Sequence, residues 1–573
     1  MIDVFPPNSS LGEGDLITAH LQRWADERPA QSALIVLQDG ERELCRVTFA
    51  ELHRSALAVA DALAPLRVVG RPVLLLPRQP LAFAVAFFGC LYAGAIAVPS
   101  SSGPRKRGWD RIAAIVADAM PAAALGNGEV SDLLIAVEAM GVPVRSISDC
   151  TGIGGKPALP TSPDALALLQ YTSGSTGSPK GVVITHRNLA SNLRMIRSSF
   201  GVRDDSVYLT WLPLFHDMGL IGNLLSAIYC GVPCILMSPL SFYQRPQRWL
   251  AAISRYGATI SGGPNFGYEL CVRRSGRMDL AGVDLSRWEI AFCGAELVRP
   301  STMRSFEEAF ATTGFRSSAF YPCYGLAEAT VFVTGSERNA GIRTEMNGNG
   351  VEVVSCGRTP PGEQLIIVDP QEAAPLQEGE TGEIWVSGDN IAAGYWKKPE
   401  ETDAIFRARL RGCETPDFLR TGDLGWIRNG ELYFAGRLKD LIVSHGLSIH
   451  AEDIERTAAE CHPAFGEMNA AFSIETGNEE QIVMILELAR SSPTELNFAM
   501  ALTVLSQAVA NTHGIRLHDA VLVRPGTVPR TTSGKVQRSR CRELYCGQAL
   551  EHVTFAAILD FETAGRSAAD NGE

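Results

Sequence analysis

Residues Tyr171 to Gly181 read YTSGSTGSPKG, and the reading of the fold turns on this stretch. It closes an apolar run, Ala165 to Tyr171, with the length and composition of a buried strand. Thr172, Ser173, Ser175 and Thr176 bring hydroxyls, Gly174, Gly177 and Gly181 bring glycine freedom, and Lys180 brings a positive charge. Glycine lets backbone N–H groups approach phosphate oxygens, hydroxyls add donors, and the lysine adds charge. A Walker A loop needs glycine directly before its lysine; Pro179 stands there, which excludes that class.

Working outward, helical and strand patterns alternate. Thr48 to Leu63 and PQRWLAAISRYG read as helices; PVLLLP, SVYLTWLP, VPCILM, GATISGGP and WEIAFCG read as short buried strands. Such alternation predicts α/β layering with mainly parallel sheets. From 351 to 435 the character changes to short strands with turn signals, GEIWVSG and then RNGELYFAG, whose Asn429–Gly430 predicts a hairpin turn. A smaller α+β unit follows. AEDIERTAAEC reads as a helix with acids in its first turn, QIVMILELA as a strand, 494–512 as a helix and AVLV as a strand. The expected organisation is a large multi-subdomain α/β domain with a small β subdomain over 1–435 and a linker at 436–440. A small α+β domain over 441–550 and a weakly ordered tail over 551–573 complete it.

Composition narrows the function. The 573 residues are 46% hydrophobic and 20% charged, an ordinary globular balance. Lysine and arginine number 51 against 63 acidic residues, a net −12 that argues against a nucleic-acid or anionic-membrane binder. The thirteen cysteines are scattered without a CxxC pair, and Cys230 and Cys234 lack the partners of a zinc site. Together with an amino terminus, MIDVFPPNSS, unlike a secretory signal, this predicts a reducing, cytoplasmic setting. Leu81 to Pro99 carries no charge, but Gly89, Gly94 and GAIAVP predict a buried helix and strand, with no membrane span.

The Tyr171–Gly181 loop resembles the phosphate-binding signature of the adenylate-forming superfamily: acyl-CoA synthetases, peptide-synthetase adenylation domains and luciferases. Four more stretches resemble that superfamily's motifs in its order: YGLAEAT (Tyr324–Thr330), RTGDLGWI (Arg420–Ile427), GRLKDLI (Gly436–Ile442) and PRTTSGK (Pro529–Lys535). The resemblance implies binding of ATP with magnesium. Thr172, Ser173, Gly174, Ser175, Thr176, Gly177 and Lys180 would hold phosphates, Tyr324 and Gly325 the adenine, and Asp423 the ribose hydroxyls. Arg437 would hold ribose or phosphate, and Glu328 with Thr176 the magnesium. Lys439 would be the hinge of a mobile carboxy-terminal domain, and Lys535 the catalytic lysine between substrate carboxylate and α-phosphate.

WLPLFHDMGLIG (Trp211–Gly222), FCGAELV (Phe292–Val298) and VSCGR resemble the fatty acyl-AMP ligase branch. That likeness implies a fatty acid activated as its adenylate and passed to an acyl carrier protein, with His216 near the carboxylate and Gly294, Ala295 and Glu296 lining the adenine pocket. Two departures bear on the acceptor. The branch's usual insertion is shortened to Thr334–Val354, and the stretch after the hinge reads HGLSIHAEDIE, with Ser448 and Ala451 replacing Asn and Pro. An acyl-CoA synthetase using free coenzyme A is therefore the alternative, and a nucleotide-binding regulatory pseudoenzyme the alternative from another class. Too few residues follow Lys535 for a fused carrier domain, so the acceptor is expected in trans. Carrier proteins are generally acidic, and Arg105, Lys106 and Arg107 are the candidate basic patch.

Overall fold

The computed structural model describes residues 12–100, 105–127, 132–150, 162–172, 179–348, 350–413, 417–444, 447–476, 479–489, 498–531 and 535–550. These form two compact units, one reaching to Ala435 and one starting at Gly436.

Two large sheets dominate the first unit. One has eight strands in the order Thr334–Gly335, Phe320–Tyr324, Ile290–Cys293, Ile260–Gly263, Tyr208–Thr210, Cys234–Leu236, Ser32–Gln38 and Arg42–Thr48. Its inner neighbours pair parallel, and only the outermost strand on each side runs antiparallel. The second has seven strands in the order Gly394–Tyr395, Lys180–Thr185, Leu166–Thr172, Ile96–Pro99, Pro72–Leu75, Ala123–Gly126 and Val144–Ser146. Both are α/β sheets whose inner strands are buried on both faces, as the continuous apolar runs predicted, while the edge strands Arg42–Thr48 and Val144–Ser146 are partly exposed. The uncharged stretch Leu81–Pro99 divides into the buried part of a helix, Pro80–Tyr92, and the strand Ile96–Pro99. No helix among the described residues is long and apolar enough to cross a membrane.

Local chemistry explains where elements begin. Thr48 caps the helix Phe49–Leu63: its hydroxyl accepts the Glu51 N–H at 3.2 Å, and Glu51 returns the bond by accepting the Thr48 N–H at 2.9 Å. Thr185 and Asn188 form the equivalent box for His186–Phe200. The Asn188 amide also donates to the carbonyls of Asp389 and Ile391 at 2.8 Å each, anchoring a distant loop to this helix. Asn429 and Gly430 both adopt positive φ, 52° and 74°, between the strands Leu419–Arg428 and Glu431–Arg437, as a hairpin turn requires. Those strands join Gln364–Val368 and Gly382–Ser387 in a four-stranded sheet.

One carboxyl in this region makes a pH prediction. Glu363 lies against Gly388, and its Oε2 is buried without a hydrogen-bond partner among the described residues. Burial, with the Asp389 charge second, pushes this carboxyl up to about 8 from 4.5. The folded state thus favours the protonated acid, so its contribution is complete below the unfolded value and lost as pH rises through the folded one. Glu363→Gln keeps a neutral group there. The variant should lose less melting temperature than wild type between about pH 6 and pH 9 in a calorimetric series.

The second unit has its own core of Ile454, Ala458, Met484, Leu486, Leu505 and Val509. Its three-stranded sheet runs Phe465–Thr476, Glu479–Leu488, Leu517–Val523, the first pair antiparallel and the second parallel. Helices Ala451–Cys461, Phe498–His513 and Arg538–Cys546 complete it, with a ribbon of Leu441–Ser444 and Leu447–His450. The predicted helix over 494–512 is thus observed from Phe498.

Candidate active site

Ligands of open α/β sheets gather outside the carboxyl ends of the parallel strands. Six parallel strands of the eight-stranded sheet end on that edge, and four of the segments that follow them carry the residues of interest. Trp211–His216 follows Tyr208–Thr210, Pro264–Asn265 follows Ile260–Gly263, Gly294–Glu296 follows Ile290–Cys293, and Gly325 follows Phe320–Tyr324. Close approach explains the glycines. A Cβ on Gly294 would lie 2.7 Å from the Cys323 carbonyl oxygen, and one on Gly325 would lie 1.7 Å from that of Val331. Ala295, with φ at 68°, holds a left-handed turn between Gly294 and Glu296. Glu296 Oε1 accepts the Phe266 N–H at 2.6 Å and so caps the first turn of the helix Asn265–Arg274.

Tyr324 and Asp423, 99 residues apart, meet directly: the phenol donates to Asp423 Oδ2 at 2.8 Å. Both are buried, at 7% and 5% exposure, and Phe434 stacks near the tyrosine ring. A carboxylate has about four acceptor positions, so Asp423 is chemically able to accept more than one donor. Its backbone is set by Thr421, whose hydroxyl donates to the Ile384 carbonyl at 2.7 Å and accepts the Asp423 N–H at 3.1 Å. Beneath lies Glu383, 2% exposed. Its carboxylate accepts from Arg420 at 2.8 and 3.0 Å, from the Trp385 indole at 2.9 Å and from the Gly422 N–H at 3.2 Å. Sequence reasoning missed Glu383. The available signal was an acid inside the otherwise apolar strand GEIWVSG, since buried acids are normally paired.

Ser173, Gly174, Ser175, Thr176 and Gly177 of the expected phosphate loop lie outside the described residues, but both ends of the loop are placed. It spans an antiparallel pair, Thr172 opposite Lys180, so the lysine opens a strand. Lys180 pairs with Glu401 and sits 5.2 Å from the ring centre of Tyr395. Tyr395 reaches this position because Gly394–Tyr395 adds antiparallel to Lys180–Thr185. Its phenol donates to Glu328 Oε1 at 2.9 Å, and burial followed by the Glu328 charge holds it well above the usual tyrosine range. Tyr395 therefore remains a neutral donor to the Glu328 carboxylate. An anionic oxygen of this kind suits magnesium, a hard cation that takes one or two carboxylates plus nucleotide phosphates. Tyr395 is a second residue the sequence reading missed.

His216 Nδ1 lies 2.9 Å from Asp217 Oδ1. A carboxylate only accepts, so Nδ1 carries the proton and Nε2 faces away from Asp217. Two buried amides hold the segment: Gln170 donates to the Phe215 carbonyl at 3.0 Å and Asn223 to that of Met218 at 2.8 Å. Asn223 belongs to a π-helical stretch, Leu220–Leu225, of a kind that frequently marks functional sites.

Three predicted residues belong to the second unit. Arg437 ends the strand Glu431–Arg437, and Lys439 sits in the short turn Leu438–Asp440. Lys535 closes a loop base: its N–H donates to the Thr531 hydroxyl at 3.0 Å, and its carbonyl accepts the Thr531 N–H at 2.7 Å. Arg105, Lys106 and Arg107 open the helix Arg105–Ala119, and their side chains lie outside the described set, as does the tail 551–573.

The protein belongs to the AMP-binding enzyme family, which matches residues 21–396, and within it to the fatty acyl-AMP ligases. A second family, described as Disco-interacting protein 2-like, AMP domain, matches 439–554. The chain is 38% identical to a medium-chain fatty acid–[acyl-carrier-protein] ligase of Moorena producens (strain JHB), covering 91% of this chain and 93% of that protein. It is 35% identical to a long-chain fatty acid–AMP ligase of Mycobacterium marinum (strain ATCC BAA-535 / M), covering 92% and 97%. Among solved structures, a Legionella pneumophila fatty acyl-adenylate ligase in complex with acyl adenylate and pyrophosphate superposes with a TM-score of 0.71. That pair is 34% identical, with 93% of this chain and 96% of the other covered.

Proposed function

We propose that the protein activates a fatty acid with ATP and magnesium, releases pyrophosphate, and transfers the acyl group to the phosphopantetheine thiol of a separate acyl carrier protein. The observation that carries the nucleotide half is the buried Tyr324–Asp423 pair, an aromatic face beside a ribose-competent carboxylate. The names of the relatives support the acid and the carrier. In the first step a substrate carboxylate oxygen attacks the α-phosphorus and pyrophosphate leaves. In the second the thiol sulfur attacks the acyl carbonyl, AMP leaves, and the thiol proton passes to solvent.

In this reading residues 1–435 form the adenylation core, 436–440 the hinge around Lys439, and 441–550 the mobile domain that presents Lys535. Thr172, Lys180 and the loop 173–177 bind phosphates, Gly294–Glu296, Tyr324 and Gly325 the adenine, and Arg437 the ribose or phosphate. Glu328 and Thr176 hold magnesium, and His216 faces the acid carboxylate. Use of ATP and thirteen cysteines without a CxxC pair fit work in the cytoplasm.

The test offers ATP, magnesium, a panel of acids, coenzyme A and holo carrier proteins, with mass spectrometry of the products. Acyl-carrier formation supports the reading; acyl-CoA without carrier loading replaces it with an acyl-CoA synthetase; no acid-dependent pyrophosphate exchange leaves a pseudoenzyme. A finer prediction concerns magnesium. Tyr395→Phe removes the donor that orients Glu328, and should raise the magnesium concentration for half-maximal exchange about tenfold. An unchanged magnesium titration would separate Glu328 from the metal.

A further inference from the structure

The loop carrying Lys535 is gripped on both arms. Arg530, on the first arm, pairs with Glu487 Oε2 at 2.9 Å, and the Val528 N–H donates to Glu487 Oε1 at 2.9 Å. Gln537, on the second arm, donates its N–H to the Pro529 carbonyl at 2.9 Å, and Arg530 bridges Val536. Arg538 comes next and opens the helix Arg538–Cys546. Its side chain, 12% exposed, binds Glu455 through Nε and Nη2 at 2.7 Å each. Nη2 also lies 3.3 Å from Glu452, and Nη1 lies 2.7 Å from Asp440 Oδ2.

Glu452 and Glu455 come from one helix, Ala451–Cys461, and already more than neutralise the guanidinium. Asp440 comes from elsewhere: it ends the turn that contains Lys439. Asp440, 16% exposed, is a third acid on the same guanidinium and surplus to its charge balance, and like charges crowded together cost energy. Its position instead attaches one element to another. The planar guanidinium is a rigid fork, so a shift of Asp440 is passed to Arg538 and, within three residues, to Lys535.

We propose that the Asp440–Arg538 ion pair is a strut that fixes Lys535 relative to the hinge turn, making Asp440 and Arg538 positioning residues for adenylation. The inference rests on the roles proposed above for Lys439 and Lys535, and its test separates the two. In the full-length enzyme, Asp440→Ala should lower the turnover of acid-dependent ATP–pyrophosphate exchange about tenfold, the loss of one charge-assisted bond. The KM values for ATP and acid should stay within about twofold, because substrate-binding groups are untouched. Transfer from supplied acyl-adenylate to an acceptor thiol and the melting temperature should be unchanged, and Asp440→Glu should restore part of the exchange rate. Glu455→Gln, which weakens the same arginine away from the hinge, should lower the melting temperature.

Unchanged exchange in Asp440→Ala overturns the strut. So does an equal fall in exchange, transfer and melting temperature, which would mark the pair as structural only. Wild-type enzyme without acid-dependent exchange would instead refute the adenylation reading, and the strut with it.

Discussion

Lys535→Ala should slow acid-dependent ATP–pyrophosphate exchange roughly 10²–10³-fold, the usual cost of removing one charge-stabilising donor from a transition state. Negative charge accumulates on the carboxylate and α-phosphate oxygens as the new bond forms, and an ammonium there acts only while it forms. Turnover should therefore fall more than substrate binding. Transfer from chemically prepared acyl-adenylate should persist, since that step expels AMP without building the same pentavalent charge. The two half-reactions are measured separately, by exchange of labelled pyrophosphate and by mass spectrometry of the loaded acceptor. Equal loss in both would remove Lys535 from its proposed role and leave it a structural member of its loop.

Asp423→Asn should raise the KM for ATP by roughly tenfold or more, since hydrogen bonds to a charged acceptor contribute about 1.5–3 kcal/mol. Asparagine preserves the volume and can still accept from the Tyr324 phenol, so the fold around this buried pair should survive. The KM for the fatty acid should change little. A nucleotide lacking one ribose hydroxyl provides the control: wild type should discriminate against it, and the variant should discriminate less. Equal discrimination by both enzymes would show that Asp423 serves the packing of Tyr324 and not the ribose.

Much of the architecture was legible because it is written in local chemistry. Thr48 followed by Glu51 starts a helix, and Asn429–Gly430 turns a hairpin. The apolar stretch Leu81–Pro99 divides into a helix and a strand. The site was legible in a different way: its motifs stand in order along the chain, but their meeting depends on strand pairing. Glu383 and Tyr395 escaped notice for that reason. Each acts on a residue that sequence distance separates from it, Arg420 and Gly422 for the first, Glu328 and Lys180 for the second.

The sequence by itself determined the alternating elements and the hairpin turn, because periodicity, turn chemistry and residue type act over a few residues. Only the tertiary structure decided that Lys180 opens a strand antiparallel to the one before the loop, that Tyr395 docks beside it, and that Tyr324 donates to Asp423. It also decided that the turn Leu438–Asp440 is tied through Asp440 to Arg538, three residues after Lys535. Those contacts depend on sheet register and on which buried charges must find partners, and both are settled when distant segments are packed together.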